Sequence, residues 1–153
     1  MKTIAIGADD AAIELKNVIK KLLEDKQYVV KDYSNDAQNE RPMYPDVAFT
    51  LATAIQQNEH DRGILLCGTG IGMAIVANKV AGVRAAQCHD TFSAERARKS
   101  NNAQVITLGA RVIGPELARS IINSWLNSEF EGGGSTEKVE KIGYYEQAAV
   151  SEK

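Results

Sequence analysis

Residues 63–72 read Gly63-Ile64-Leu65-Leu66-Cys67-Gly68-Thr69-Gly70-Ile71-Gly72, and this stretch predicts both the fold and its reactive centre. The aliphatic run has the length and hydrophobicity of a strand that is buried on both faces. The glycines that follow predict a turn with no bulky side chains, and residues 73–80 predict a helix. Because the amides of such a turn point toward a helix N-terminus, the turn suits an anion or an oxygen that becomes one.

Cys67 stands where the predicted strand ends and the turn begins. A cysteine here is either a small buried hydrophobe or a reactive thiolate beside a helix N-terminus, and the spacing alone leaves both open. Cys88 ends a neighbouring predicted strand without a glycine turn, which favours a structural role. Met73 stands where a dinucleotide fingerprint needs glycine, and no Gly-Lys-Ser/Thr follows the turn, so neither common nucleotide motif is present.

The bulk composition predicts a single cytoplasmic domain of ordinary globular type. The chain has 153 residues, of which 44% are hydrophobic and 25% charged, with a formal net charge of −2. This charge gives no reason to expect a nucleic acid or an acidic membrane surface as partner. The two cysteines do not form a disulfide framework, and no apolar segment has the length of a signal peptide or a membrane span.

Segments of strand type and helix type alternate five times between residues 3 and 126. This pattern predicts an α/β domain with a five-stranded parallel sheet and helices on both faces. Within it, residues 34–45 are predicted to form a loop, and Asp46 is predicted to cap the helix that follows. Residues 131–153 are predicted to form a flexible link and a C-terminal helix whose few apolar positions favour packing on a partner subunit.

Ligands of open parallel sheets bind at the carboxyl ends of the strands. The predicted strands would bring the following residues to one rim: Asp9, Asp10, residues 67–72, His89, Asp90, residues 100–102 and residues 109–111. Asp9 is the better candidate to bind a substrate hydroxyl, while Asp10 is either a second acidic group or a helix cap. Arg111 and Lys138 are the candidate anion holders.

The two histidines leave one further hypothesis open. His89 with Asp90, at the end of a predicted strand, is compatible with a Cys–His hydrolase, although a solvated histidine is commoner there. His60 lies in a charged turn and is predicted to be at the surface. Neither histidine has a partner at metal-ligand spacing, so no metal site is predicted.

Several motifs together resemble the type B ribose-5-phosphate isomerase family, which includes galactose-6-phosphate isomerase subunits and tetrose-phosphate isomerases. They are Gly-x-Asp at residues 7–9, Cys-Gly-Thr-Gly-Ile-Gly at 67–72, Ala-Asn-Lys at 77–79, Val-Arg-Ala at 83–85, Ser-Ala at 93–94, Asn-Asn at 101–102 and Gly-Ala-Arg-Val-Ile-Gly at 109–114. The likeness runs in order through nearly the whole chain. It implies one Rossmann-like three-layer α/β/α domain over residues 1–153. It also implies a homodimer or a dimer of dimers with shared active sites, and no metal or organic cofactor.

The resemblance also implies a role for each matching residue. Cys67 would be the base that moves a proton between C1 and C2 of an open-chain sugar phosphate, and Thr69 would assist proton movement between the two oxygens. The amides of Gly68, Gly70, Ile71 and Gly72 would hold the enediolate oxygens. Asp9 and Asn101 would bind substrate, with Asn101 supplied by the partner chain, and Arg111 would bind phosphate.

This chain departs from the family pattern at a few positions. Asp10 stands where many members have histidine. Ser100 replaces the histidine thought to open the furanose ring in ribose-specific members. Gly134 and Lys138 replace two arginines, so the predicted phosphate site keeps Arg111 and gains Lys138. Because a tetrose 4-phosphate cannot close a furanose, Ser100 favours D-erythrulose 4-phosphate and D-erythrose 4-phosphate as the substrate pair. D-ribose 5-phosphate is the alternative substrate, and a non-catalytic phosphosugar-binding module is the alternative of another class.

Overall fold

The computed structural model describes residues 3–34 and 43–151. The strands are β1 (Thr3–Ala8), β2 (Val29–Asp32), β3 (Arg62–Cys67), β4 (Ala85–Gln87) and β5 (Val105–Gly109). The helices are α1 (Ile13–Asp25), α2 (Tyr44–Gln56), α3 (Ile71–Ala77), α4 (Thr91–Lys99), α5 (Pro115–Leu126) and α6 (Gly134–Ser151), and one 3-10 turn spans Asp10–Ala12. Among these described residues, no helix combines the length and the hydrophobicity needed to cross a membrane.

The five strands form one parallel sheet in the order β2-β1-β3-β5-β4, which confirms the predicted fold class. One hydrophobic core lies between the sheet and helices α1, α4 and α5, and a second lies between the sheet and helices α2 and α3. Every residue of β3 is buried, as expected for a central strand with helices on both faces. The chain therefore builds three layers around the strand that ends in Cys67.

The strand order places a switch point between β1 and β3. The chain passes from β1 to β2 on one side, and returns to add β3 on the other side of β1. At such a point the two adjacent crossover connections lie on opposite faces of the sheet, and a crevice opens beyond the carboxyl ends of the two strands. Asp9 follows β1 and Cys67 ends β3, so both residues border this crevice.

Several boundaries differ from the sequence prediction. Helix α2 begins at Tyr44 and is preceded by Met43, so Asp46 lies inside the first turn and the prediction that it caps the helix was wrong. Pro45 fits that first turn because it has no amide hydrogen to leave unpaired. Helix α6 begins at Gly134, inside the predicted flexible link. Within that link, the two glycines that precede the helix, Gly132 and Gly133, have positive φ. Most of the predicted loop, residues 35–42, lies outside the described residues.

An ion pair between Lys16 and Asp32 joins α1 to the end of β2. The Lys16 Nζ to Asp32 Oδ2 distance is 2.7 Å, and the two side chains are only 6% and 13% exposed. Burial raises the pKa of the Asp32 carboxyl, but hydrogen bonds from Lys16 and from Ser34 outweigh burial and hold that pKa below its usual range.

We expect Asp32→Asn to lower the free energy of unfolding by about 3 kcal/mol, because the Lys16 ammonium then stays buried without its counter-charge. In the unmodified protein this stabilisation is complete above the unfolded-state pKa of aspartate, about 3.9, and is lost as the pH falls through the lower pKa of the folded carboxyl. Urea unfolding at neutral pH and at pH about 3 measures both effects. Asp25→Asn is the control, because Asp25 pairs with Lys21 at the surface. Equal losses in the two variants would contradict the expectation.

Candidate active site

The turn after β3 can be built only with glycine at two positions. Gly70 has a φ of 79°, and a Cβ there would lie 2.9 Å from the carbonyl carbon of Leu108. A Cβ at Gly109, the register partner of Cys67 on β5, would lie 2.6 Å from the Cα of Thr69. The glycines therefore allow the turn to fold back tightly against the end of β5.

This folding points amide groups at two polar side chains of the turn, those of Cys67 and Thr69. The amide of Gly70 donates to Cys67 Sγ at 3.0 Å, and the amide of Ile71 donates to Thr69 Oγ1 at 3.2 Å. No acceptor in the described part of the chain takes the amides of Gly68 and Thr69. The turn thus combines a sulfur atom held by an amide, a hydroxyl group, and further amides that remain available to an oxyanion. These are the components of proton abstraction next to a carbonyl.

Asp9 lies beside the turn, on the neighbouring strand. Its amide donates to the carbonyl of Leu66 at 3.2 Å, and its Oδ1 accepts a hydrogen bond from the amide of Ala11 at 3.0 Å. Burial raises the pKa of the Asp9 carboxyl and the charge of Asp10 adds to this effect, while the Ala11 amide and the charge of Arg111 lower the pKa. The net result is a raised pKa. Asp9 is the cap of the 3-10 turn, and Asp10 lies exposed within it.

Arg111 is held against the glycine turn by both its backbone and its side chain. Its amide donates to the carbonyl of Gly68 at 3.0 Å. Its side chain lies over the same residue, since a Cβ on Gly68 would meet Arg111 Cδ at 3.4 Å and Nε at 3.6 Å. The exposed guanidinium therefore lies beside the turn, where it can hold an anionic ligand next to Cys67.

Residues 100–102 lie at the opposite edge of the sheet, between α4 and the amino end of β5, so the prediction that they share one rim with residues 67–72 was wrong. Helix α4 starts at the carboxyl edge and runs back, so Ser100 and Asn101 lie where the chain enters the amino end of β5. The amide of Gly63 donates to the carbonyl of Gln104 there. The six residues of β3 separate this edge from Cys67 by about 16 Å.

Lys138 also belongs to this second edge. The amide of Glu131, just before α6, donates to the carbonyl of Lys99 at 3.2 Å, and Glu146 of α6 accepts a hydrogen bond from the amide of Gly82 at 2.8 Å. The two contacts hold α6 along the amino edge of the sheet. One chain consequently brings Asp9, Asp10, residues 67–72 and Arg111 together, but it does not bring Ser100, Asn101 and Lys138 to them.

The hydroxyl of Ser100 is bound by an arginine that was not among the predicted site residues. Arg96 donates to Ser100 Oγ from Nε at 2.8 Å and from Nη2 at 2.6 Å. The two residues are one helical turn apart, so only the spacing along α4 could have indicated the contact. Because Arg96 donates both hydrogen bonds, Ser100 Oγ is a fixed hydrogen-bond acceptor, and a serine hydroxyl does not supply an acid for opening a sugar ring.

The histidines and Cys88 take structural positions. His60, predicted at the surface, is instead half-buried, with hydrogen bonds to Tyr33 Oη at 2.9 Å and to Thr3 Oγ1 at 3.0 Å, and burial lowers its pKa. His89 Nε2 accepts a hydrogen bond from the amide of Gly109 at 2.9 Å. Cys88 is 2% exposed, and burial, followed by the charge of Asp90, raises its pKa to about 11. Cys88 is therefore an uncharged core thiol at neutral pH.

Two further side chains contact the turn, and neither was among the predicted site residues. Gln87 Nε2 donates to the carbonyl of Thr69 at 2.8 Å, and Thr107 Oγ1 donates to the carbonyl of Gly70 at 2.8 Å. Thr107 is fully buried. Its signal in the sequence is a polar side chain inside the apolar run of β5, but this signal does not say which group the hydroxyl binds. In residues 3–34 and 43–151, no cluster of three or more His, Cys, Asp or Glu side chains is placed to hold a metal ion.

The sequence of this chain matches a known protein family. The Ribose/Galactose Isomerase family model matches residues 4–142. The chain is 72% identical over 146 residues to the D-erythrulose-4-phosphate isomerase of Pectobacterium atrosepticum, covering 95% of this chain and 96% of that protein. It is 52% identical over 137 residues to the ribose-5-P isomerase B of Listeria innocua, covering 90% and 92%.

Solved structures agree with the fold over almost their full length. The ribose-5-phosphate isomerase B of Clostridium thermocellum matches with a TM-score of 0.91 and 41% identity, covering 96% of this chain and 99% of that chain. The ribose-5-phosphate isomerase B of Mycoplasma genitalium, solved with bound ribulose-5-phosphate, matches with a TM-score of 0.88 and 36% identity, covering 95% and 96%.

Proposed function

This chain belongs to the ribose/galactose isomerase family, and from this premise we propose that it interconverts D-erythrulose 4-phosphate and D-erythrose 4-phosphate without a cofactor. The observation that carries the reaction type is the turn after β3. It sets one sulfur, one hydroxyl and amides that have no acceptor among the described residues beside a single crevice. Such a site suits proton transfer next to a carbonyl group.

Cys67 carries the proton in this mechanism. As a thiolate it removes a proton from C1 of the open-chain ketose, and the C–H electron pair forms the C1–C2 double bond of an enediolate. The carbonyl π electrons move to O2, which becomes the oxyanion. The Cys67 thiol then returns the proton to C2 while the carbonyl group forms at C1, so the product is the aldose and the cysteine is regenerated. The amide of Gly70, 3.0 Å from Sγ, supports this role because it stabilises negative charge on sulfur.

The hydroxyl of Thr69 moves a proton between O1 and O2 during the same reaction. Its Oγ1 accepts the amide hydrogen of Ile71, which leaves the hydroxyl hydrogen free to turn toward a substrate oxygen. The amides of Gly68 and Thr69 bind the developing oxyanion, since no protein acceptor among the described residues competes for them. Donors aimed in advance at a developing charge contribute several orders of magnitude to a rate.

Substrate binding completes the site and requires a second copy of the chain. Asp9 binds a sugar hydroxyl, and Arg111 binds the phosphate from the same edge of the sheet. Asn101 of the partner subunit reaches the substrate from the other side, with the partner's Ser100 and the partner's Lys138. In a two-fold dimer each amino edge can face the carboxyl edge of the other chain, which makes two equal sites.

Exposed apolar side chains on the helices that begin at the carboxyl edge of the sheet support this arrangement. Ile71 and Ile75 lie one turn apart on α3 and are 52% and 54% exposed, and Phe92 at the start of α4 is 70% exposed. Large apolar side chains exposed on one side of a domain favour contact with another protein surface. Ile142 and Tyr145 on α6 are likewise exposed, which supports packing of the C-terminal helix on the partner.

The four-carbon substrate is favoured by the absence of a group that opens a sugar ring at Ser100. Ser100 Oγ is held by Arg96, His60 uses both ring nitrogens within its own chain, and His89 Nε2 is taken by Gly109. A pentose 5-phosphate closes into a furanose and needs an acid to reopen it. A tetrose 4-phosphate cannot close that ring, because its 4-oxygen carries the phosphate. The 72% identity to a D-erythrulose-4-phosphate isomerase supports the same choice.

We expect kcat/KM for D-erythrose 4-phosphate to exceed that for D-ribose 5-phosphate by at least about tenfold. The two sugars are compared at equal concentration, with NMR detection of each ketose product. The open-chain fraction of each sugar is measured in the same samples, so that ring opening in solution is accounted for. Equal or faster turnover of D-ribose 5-phosphate would contradict the tetrose assignment and favour the pentose, which the 52% identity to a ribose-5-P isomerase B keeps as the second candidate.

A further inference from the structure

We propose that Gln87 and Thr107 are positioning residues that aim two amides of the glycine turn at Cys67 and Thr69. Neither side chain is assigned a contact with substrate. Each binds a carbonyl oxygen of the turn, and each acts through the peptide group to which that oxygen belongs. This inference rests on the proposed function for the roles of Cys67 and Thr69. The hydrogen bonds themselves are independent of that function.

Gln87 controls the peptide group between Thr69 and Gly70. Its Nε2 donates to the Thr69 carbonyl oxygen at 2.8 Å, and the amide of Gly70, in the same peptide group, donates to Cys67 Sγ at 3.0 Å. A trans peptide group is planar, with its oxygen and its hydrogen on opposite sides. Fixing the oxygen toward β4 therefore fixes the hydrogen toward the sulfur.

Thr107 controls the next peptide group in the same way. Its Oγ1 donates to the Gly70 carbonyl oxygen at 2.8 Å, and the amide of Ile71, in that peptide group, donates to Thr69 Oγ1 at 3.2 Å. Thr107 is fully buried, so its hydroxyl has no water to bind in place of this carbonyl. The hydroxyl thus holds the Ile71 amide against the threonine that moves the second proton.

The two residues act from adjacent strands as a pair. Gln87 on β4 and Thr107 on β5 are register partners, and they hold two consecutive carbonyl groups. The two preceding carbonyl groups of the turn, those of Cys67 and Gly68, are held by the backbone amides of residues 110 and 111. Side chains therefore bind the carbonyl oxygens of the two peptide groups whose amides contact Cys67 Sγ and Thr69 Oγ1.

The first test replaces Gln87 with methionine, which keeps the length of the side chain and removes its donor. We expect the midpoint of the pH profile for iodoacetamide alkylation of Cys67 to rise by about half a unit, because the thiolate loses part of its hydrogen bond. We also expect kcat to fall about fivefold while KM stays within about twofold. Cys88, whose pKa lies at about 11, stays unlabelled across the profile, and peptide mass spectrometry verifies this.

Gln56→Met is the matched control. Gln56 also donates its side-chain amide to a backbone carbonyl, that of Ala81 at 3.0 Å, but at the amino edge of the sheet. The control should leave both the alkylation profile and kcat unchanged. If Gln87→Met behaves like Gln56→Met in both measurements, the inference is wrong.

The second test separates the two peptide groups. Thr107→Val is expected to lower kcat about fivefold without moving the alkylation profile, because the amide that binds Cys67 belongs to the other peptide group. Thr107→Ser keeps the hydroxyl and should restore kcat. The fold should survive either change, since the Gly70 carbonyl also accepts a hydrogen bond from the amide of Ala74. A general loss of turn structure would instead shift the alkylation profile in both the Gln87 and the Thr107→Val variants, and this result would overturn the inference.

Alkylation of Cys67 needs no substrate, so the test distinguishes two failures. If the unmodified protein isomerises no sugar phosphate, the proposed function fails, but the Gln87→Met shift still shows that the side chain aims an amide at the sulfur. If the protein is active and Gln87→Met leaves both the profile and kcat unchanged, the proposed function stands and the positioning role fails.

Discussion

Cys67→Ser is expected to reduce kcat/KM for D-erythrose 4-phosphate by between about 100-fold and about 10,000-fold, the range that general base catalysis contributes. The serine hydroxyl occupies nearly the same space but does not ionise near neutral pH, so it accepts a carbon-bound proton poorly. The circular dichroism spectrum and the melting temperature should stay close to those of the unmodified protein, because the thiol contributes little packing volume. Coupled or NMR assays of both reaction directions measure the loss.

Cys88→Ala is the control, because it removes the other thiol without touching the crevice. It should retain most of the activity, with any loss appearing in thermal stability. Incubation in deuterium oxide gives a second readout, since an isomerase incorporates solvent deuterium at C1 or C2 and a phosphosugar-binding module incorporates none. If the unmodified protein binds the sugar phosphate without exchange, the binding module is the better description. If Cys67→Ser retains full exchange, another group is the base.

The parallel sheet and the glycine turn at the end of its central strand could be predicted from the sequence because both depend on local patterns. Five alternations of strand and helix leave few topologies open. A glycine turn that leads from a buried apolar strand into a helix lies at the carboxyl edge of such a sheet. Cys67, Thr69 and the flanking glycines are neighbours in the chain, so their proximity follows from the sequence itself. Asp9 and Arg111 also follow strands directly, and the structure brings both beside the turn.

The rest of the candidate site depends on contacts between distant segments. Asn101 follows a helix rather than a strand, and a helix that crosses back over the sheet carries its end to the opposite edge. A rule about strand ends therefore places Asn101 wrongly. Gln87 contacts a carbonyl group 18 residues away in the chain. No residue pattern encodes such a contact, because it depends on which strand lies next to β5.

The strand order also explains why β4 supplies a positioning residue. β5 inserts between β3 and β4, so β4 becomes the edge strand next to β5. Because the glycine turn folds back against the end of β5, the side chain of Gln87 on the neighbouring strand reaches the Thr69 carbonyl.

A mixture of two inactive variants should regain activity if each site is built from two chains, and this is the second large effect that we expect. Cys67→Ser and Asn101→Ala are unfolded together and refolded in equal amounts, so that about half of the dimers contain one chain of each kind. In a mixed dimer one site has both defects and the other has neither, so total activity should reach about one quarter of that of the unmodified protein.

Cys67→Ser mixed with Asp9→Asn is the control, because both residues lie on the same edge of the same chain and every mixed site keeps a defect. Recovery in the first mixture alone establishes that Asn101 reaches Cys67 from the partner subunit. If neither mixture recovers, Asn101 does not complete a site on the other chain, and the carboxyl edge must bind its substrate without it.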